Sequence, residues 1–496
     1  VLIKIMLREN LSHPTTGRGK ILLKREMNNL LRRHARRSWK VGDKPCKVKF
    51  HCMKKYLFAI IGCLVLSPCM RSSAQQQTTQ NEFSMSGQIR PRFEARAGDF
   101  RPLSKDENPA YLITNRFRID IYYNRPDVLK TKLSIQQVGV WGQDAPSQGL
   151  NQSGAPLRIF EGWADLKVYK GLRTKIGRQT ITLDDERLFG VSDWAAGARS
   201  HDAVSVYYEK SKLKVSSFFA FNQNYEALYG NNLNNPSGSL YNPSGSQPYK
   251  AMQTFWGEYK TSDFTKLSFL FSNVGYQYAM PGERRSPVYN QQTTGVNCFL
   301  DKSATSGILT GYYQFGDNPS GTRTSAFLLS ARVSEKLPGS FSLKAGADYV
   351  SGNSYGIAVK TNKAFQTLFG TNHKFYGSMD YFYSGHMQGS VGLINTYLGA
   401  GFESSRRSEM HVTGYVFHSP SAIYRQGEKI NRDLGKEMDL EFSVHITKSV
   451  DMGTGISVFF TSGSLLYLED VGNARSLQGL GWLSLNVHPE FFSAKF

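Results

Sequence analysis

The chain has 496 residues, a formal net charge of +21, 13% aromatic residues and a negative mean hydropathy. Beyond residue 74 no run of 18 or more apolar residues occurs, so no transmembrane helix is available there. Four of the five cysteines precede residue 75 and only Cys298 follows, which excludes an internal disulfide and a cysteine-based zinc site in the later part.

The first 52 residues hold 14 Lys and Arg against Glu9, Glu26 and Asp43, a net of +11. They run into Met53-Lys54-Lys55, the apolar stretch Tyr56 to Leu66, and Ser72-Ser73-Ala74. That succession reads as a secretory signal peptide over 53–74, with 1–52 an upstream extension and 75–496 the mature chain. A basic arm that binds nucleic acid is the alternative for 1–52, but an export signal directly after it argues against one. Ile60-Ile61-Gly62-Cys63 loosely fits a lipobox, yet a cut there would split the apolar stretch, so cleavage after Ala74 is preferred. The remaining charge of +7 is spread over 422 residues, which gives nucleic acid no basic face.

Strict alternation dominates from residue 83 onward, and it predicts strands. In 83–96, Phe83, Met85, Ile89 and Phe93 share a face, while Arg90, Arg92, Glu94 and Arg96 share the other. Pro91 falls on the apolar side and is expected near a strand end. In 112–123, Ile113, Phe117, Ile119 and Ile121 oppose Arg116, Arg118 and Asp120. In 437–446, Met438, Leu440, Phe442, Val444 and Ile446 oppose Glu437, Asp439, Glu441 and His445. A helix would need apolar residues at i, i+3, i+4 and i+7, and these segments lack them.

Similar segments occur at 131–141, 157–169, 172–183, 202–210, 213–223, 251–260, 265–277, 293–301, 305–315, 324–335, 340–351, 375–383, 390–402, 409–418, 451–461 and 479–492. Together they make 19, one more than an even-stranded barrel accepts. The expectation is therefore an all-β chain: a transmembrane antiparallel up-and-down β-barrel of about 18 strands, in the outer membrane of a Gram-negative bacterium. Polar stretches at 98–110, 224–250 and 278–292 read as loops. A soluble β-sandwich or solenoid fits poorly, because one face carries large apolar residues on nearly every strand and the other carries charge in mid-strand. Phe491, Phe492 and Phe496 give the aromatic C-terminus that suits a barrel.

The most specific stretch is 176–203, with Gly177-Arg178-Gln179, Asp184-Asp185-Glu186-Arg187-Leu188-Phe189-Gly190, Trp194, Arg199 and Asp202-Ala203. With 374–383 (KFYGSMDYFY) and 435–447 (GKEMDLEFSVHIT), it resembles the alginate export family of outer-membrane proteins. The resemblance runs from about residue 83 to the end, in ordered blocks. It implies an 18-stranded barrel whose arginine-rich lumen passes an acidic polysaccharide.

The residues point the same way. Arg90, Arg92, Arg96, Arg116 and Arg118 lie on the polar faces of the first two strands, which in a barrel line the lumen. Rings of arginine select anions through charge-assisted, often bidentate hydrogen bonds. Asp184 and Asp185 lie among the basic groups, and Arg178, Arg187 and Arg199 come from the family-like block; all are candidate pore-lining residues. The alternative for each is a salt bridge between strands without a transport role. Trp194 is either a lumen or a girdle aromatic.

Enzyme readings find little support. The seven histidines after residue 74 lie in no nucleophile motif, and G-x-S-x-G, H-E-x-x-H and Walker sequences do not occur. Asp184-Asp185-Glu186 offers calcium or acid–base chemistry, but a lumen charge pair with Arg187 is the favoured reading. No cofactor and no metal are expected. Expected partners are an anionic glycan, outer-membrane lipid and, for an exporter, a periplasmic partner. A general porin with mild anion preference, a barrel enzyme such as a lipase and an adhesive barrel remain alternatives.

Overall fold

Side chains of a strand alternate between two faces, so a sheet with one apolar and one polar face can satisfy its backbone in lipid only by closing on itself. The computed structural model describes residues 80–143, 157–222, 249–277, 287–383, 391–405 and 407–496. The extension and signal read over 1–74 lie outside the described residues, as does most of the 224–250 loop.

In chain order the elements are β1 (Glu82–Ala97), β2 (Ala110–Arg125), β3 (Leu129–Val140), β4 (Arg158–Tyr169), β5 (Leu172–Gln179), β6 (His201–Lys210) and β7 (Leu213–Phe221). Next come β8 (Ala251–Lys260), β9 (Thr265–Gln277), β10 (Val288–Lys302), β11 (Thr305–Asp317), β12 (Arg323–Leu337), β13 (Phe341–Val350), β14 (Leu393–Ser405) and β15 (Ser408–His418). A small hairpin, β16 (Ile423–Arg425) and β17 (Glu428–Ile430), precedes β18 (Asp433–Thr447), β19 (Val450–Phe460), helix α1 (Gly463–Leu468), β20 (Leu477–Val487) and β21 (Glu490–Lys495).

Each wall strand pairs antiparallel with its neighbours in the chain, and β1 pairs with both β20 and β21 to close the ring. β20 and β21 are two halves of one wall strand, which gives a closed 18-stranded barrel. Pro489 falls between the halves, where its carbonyl accepts from Gly87 N (3.0 Å), and farther along the β1 ladder is empty at Arg90 and Pro91, between Ile89↔Val487 and Arg92↔Ser484. Neither proline has an N–H to give, so both sit where the first and last strands meet. Pro91 thus lies inside β1 and not at its end as expected.

Short turns such as Lys170-Gly171, Ser211-Lys212 and Lys448-Ser449 join strands at one end, and the long loops all lie at the other. Outward positions are apolar: Phe117, Ile119, Phe269, Leu309, Leu329, Leu398 and Ile456 are exposed. Aromatics ring this band at both ends. Phe327 stacks on Tyr349 (5.3 Å) toward the long loops, and Phe341 meets Phe402 (4.8 Å) toward the short turns. These are the interfacial girdles of a membrane barrel.

Three expected boundaries change. The 278–292 loop is shorter, because β10 begins at Val288. The 172–183 strand ends at Gln179. The segment 375–383 is not a strand: Phe375, Tyr376, Met379, Tyr381, Phe382 and Tyr383 are all buried. Its apolar residues do not alternate, so a wall position with one lipid face could not cover them. They are covered instead inside the barrel, and this segment accounts for the surplus nineteenth.

Candidate functional site

Two loops fold into the lumen. Residues 180–200, between β5 and β6, carry Ile181, Leu183, Leu188 and Phe189; residues 351–383, after β13, carry Phe365, Leu368, Phe369, Tyr376 and Met379. These apolar side chains bury against lumen-facing wall residues such as Met252, Leu270, Leu328, Phe417 and Phe459. The loops join each other through a parallel bridge at Phe189 and Phe369. Gly190 N donates to Phe369 O (3.0 Å), Phe369 N to Leu188 O (2.9 Å) and Thr371 N to Glu186 O (2.9 Å). Gly370 is required at this crossing, since a Cβ there would lie 2.2 Å from the Arg187 carbonyl oxygen. Asp184, Glu186, Ser192, Ala198, Leu368, Asp380 and Tyr383 in these loops all have positive φ. Such strain persists only where surrounding contacts hold it.

Those contacts centre on Arg187. Its guanidinium donates to Asp185 (3.1 Å), to Asp348 on β13 (2.7 Å), to Ser330 on β12 (2.8 Å) and to the Tyr376 hydroxyl (3.2 Å). Burial alone would lower its pKa, but Asp348, Tyr376 and Asp185 raise it above the ordinary value. Asp184 accepts from Trp256 (3.0 Å) and Ser268 (2.5 Å) on the far wall. Burial pushes its carboxyl up, against those two donors. Glu186 takes Lys374 (3.0 Å) and Thr371 (2.7 Å). The three adjacent acids therefore serve three separate partner sets that dock the loops.

The basic wall is β1, β2 and β3, and the 192–197 segment lies against it. Asp193 is shared by Arg90 (2.9 Å) and Arg116 (2.8 Å). Burial pushes Asp193 up, but Arg116, Arg90 and Arg118 hold it below the ordinary carboxylate range. Arg92 donates to the Trp194 carbonyl (2.5 Å) and lies over its ring (4.0 Å); His373 stacks on Trp194 at 4.0 Å. Gln136, which accepts from Arg118 (2.7 Å), donates to Gly197 O (2.7 Å). Arg92 and Arg96 both bind Glu94.

The 374–383 segment lies against an acidic wall. Met379 N donates to Glu437 (2.8 Å), and Ser378 N and Oγ donate to Asp439 (3.1 and 3.0 Å) on β18. Between the two anchored segments is a cavity of about 270 Å³ lined by Arg92, Arg96, Arg199, Asp99, Asp380 and Trp194, among others. Arg199 differs from Arg90, Arg92, Arg96 and Arg116. It donates to the carbonyls of Phe369 and Gly370, and among the described residues it has no carboxylate partner. Burial lowers its pKa to about 10, so it stays cationic at neutral pH.

The structure divides the candidate pore residues into three groups. Arg90, Arg92, Arg96, Arg116, Arg118 and Arg199 face the lumen, though the first four each have a carboxylate partner. Asp185 and Arg187 are buried docking groups and Asp184 is a half-buried one, and all three are engaged in fastening the loops. Arg178 faces outward: it shares its face with the exposed Ile176 and pairs with Asp202 (2.8 Å), itself on the face of Val204. That correction is available from alternation, since Arg178 has the parity of Ile176. Trp194 is a lumen residue. Asp193, Asp99, His373 and Asp380 escape the sequence reading, because isolated polar residues in loops carry no periodic signal.

No family profile matches the chain, and no curated protein matches it. Solved structures do. Acinetobacter baumannii OccAB4 superposes with a TM-score of 0.56 at 11% identity over 84% of this chain and 99% of its own. A BenF-like porin from Pseudomonas fluorescens gives 0.55 at 11% identity over 82% and 99%. The outer membrane protein opdK from Pseudomonas aeruginosa gives 0.54 at 12% identity over 83% and 99%. The fold is thus that of outer-membrane porins. These neighbours share the barrel with this chain and do not confirm its resemblance to the alginate export family.

Proposed function

We propose that this chain is an outer-membrane channel that selects small anionic solutes, uronate oligosaccharides included. The porin fold and the two aromatic girdles support the location. The observation that carries the selectivity is Arg199: a half-buried guanidinium lining the lumen cavity, without a carboxylate partner among the described residues. A desolvated cation with unused donors attracts a carboxylate far more strongly than a solvated one does. Arg90, Arg92, Arg116 and Arg118 approach the same segment and add a weaker, partly neutralised field. A cavity of about 270 Å³ suits a short solute. Passage of a polymer such as alginate would need the two in-folded loops to withdraw, and export would need a periplasmic partner to deliver it.

The test is reversal potential in a planar bilayer, using protein purified from outer membranes in a KCl gradient, with alginate oligomers then added to one side. Anion-selective current blocked by the oligomers is expected. Anion-selective current without block would move the reading to a general porin. Cation-selective current would overturn it.

A further inference from the structure

We propose that the same cavity holds an organic ammonium group at the carboxylates of Asp99 and Asp380, so that its preferred solute is zwitterionic and not simply anionic. This rests on the channel reading above and narrows its substrate class.

The two carboxylates come from different loops that are fastened together. Phe100 N donates to Met379 O (3.0 Å), and the Tyr381 hydroxyl donates to Gly98 O (2.5 Å). The Asp99 side chain is 4% exposed and that of Asp380 is 5% exposed. One oxygen of each is used: Asp99 Oδ2 lies 3.2 Å from Arg96 Nε, and Asp380 Oδ2 lies 2.8 Å from His373 Nδ1. Each Oδ1 is buried without a partner among the described residues, and both residues line the cavity. Leaving a buried carboxylate oxygen unsatisfied is costly, so a pair of them beside a cavity calls for a donor. Asp380 also holds a positive φ of 55°, so its presentation is imposed by the fold.

The donor has identifiable chemistry. Among the described residues no group of three or more His, Cys, Asp or Glu side chains is arranged to hold a metal ion, which disfavours a divalent cation. An ammonium brings three donors and one positive charge and needs no fixed coordination polyhedron. Glu94, Glu437 and Asp439 add acid nearby. Burial first, and Asp380 beside it second, push the Asp99 pKa up to about 8. Arg199 in the same cavity supplies the partner for the solute's own carboxylate.

The probes are 6-aminohexanoate and hexanoate, which share a chain length and a carboxylate and differ in the ammonium. The readout is the concentration at which each blocks KCl current through the full chain in a bilayer. A charge-assisted hydrogen bond to a buried group predicts block by 6-aminohexanoate at about tenfold lower concentration. Asp99→Asn and Asp380→Asn, made separately and checked for the heat-modifiable gel mobility of a folded barrel, should each reduce that advantage. Equal block by the two probes in the wild type would overturn the ammonium site while sparing the anion reading. An advantage that persists in both variants would also overturn it. Block by neither probe would overturn the anion reading, and this inference with it.

Discussion

The Arg187 guanidinium lies 2.7 Å from the Asp348 carboxylate, and each side chain is 1% exposed. Arg187 belongs to an in-folded loop and Asp348 to a wall strand, so this pair fastens the lumen contents to the barrel. Arg187→Ala would leave Asp348 and Asp185 buried and unpaired, a loss of about 3–5 kcal/mol. The wall ladder does not contain Arg187, so the loss should fall on loop docking. Faster tryptic cleavage at Arg199 and larger single-channel conductance are expected, with heat-modifiable gel mobility retained. Cleavage and conductance equal to wild type would refute the fastening role.

Arg178 and Arg199 are expected to part company under charge reversal. Arg178→Glu removes an outward pair with Asp202 and should leave the reversal potential unchanged. Arg199→Glu removes a lumen cation that no carboxylate neutralises among the described residues and should lower anion selectivity. Equal effects from the two would contradict their opposite placement.

Asp193 neutralises Arg90 and Arg116 together. Asp193→Asn frees both guanidinium groups and loosens the 192–197 segment. The anion-to-cation permeability ratio should rise, by about threefold if the lost pairing is that of a partly solvated bridge. A fall in the ratio would show that Asp193 holds the arginines in a productive geometry.

The ammonium preference should depend on pH in a definite direction. Asp99 faces Arg96 and Glu94 from β1 and Asp380 and His373 from the 351–383 loop. With a folded pKa raised to about 8, it is mostly protonated at pH 6 and ionised at pH 9. Burial would lower His373, but Asp380 raises it; ionisation of Asp99 makes the site more negative as pH rises. The 6-aminohexanoate ammonium, with a pKa near ~10.4, keeps its charge throughout. Its advantage over hexanoate should therefore grow from pH 6 to pH 9. The linkage sign is opposite for stability: the folded chain retains a proton that the unfolded chain releases above the ordinary carboxylate value of 3.8, so this group's contribution falls as pH rises toward about 8. An advantage that shrinks with pH would place the ammonium elsewhere.

The sequence by itself determined the wall. Alternation marked eighteen of the nineteen expected segments correctly and set the lumen-facing parity of Arg90, Arg92, Arg96, Arg116 and Arg118, because a side-chain period of two is a local property of the strand. Local patterns determine nothing about a loop that turns inward. The clustered apolar residues of 375–383 look locally like a strand, yet it is the barrel interior that covers them. Asp193, Asp99, Asp380 and His373 acquired partners from segments about a hundred or more residues away, in the case of Asp193 with Arg90 and of Asp99 with Asp380. Only the tertiary structure decided which arginines are neutralised and which are not, since charge is cancelled by neighbours in space and not by neighbours in sequence.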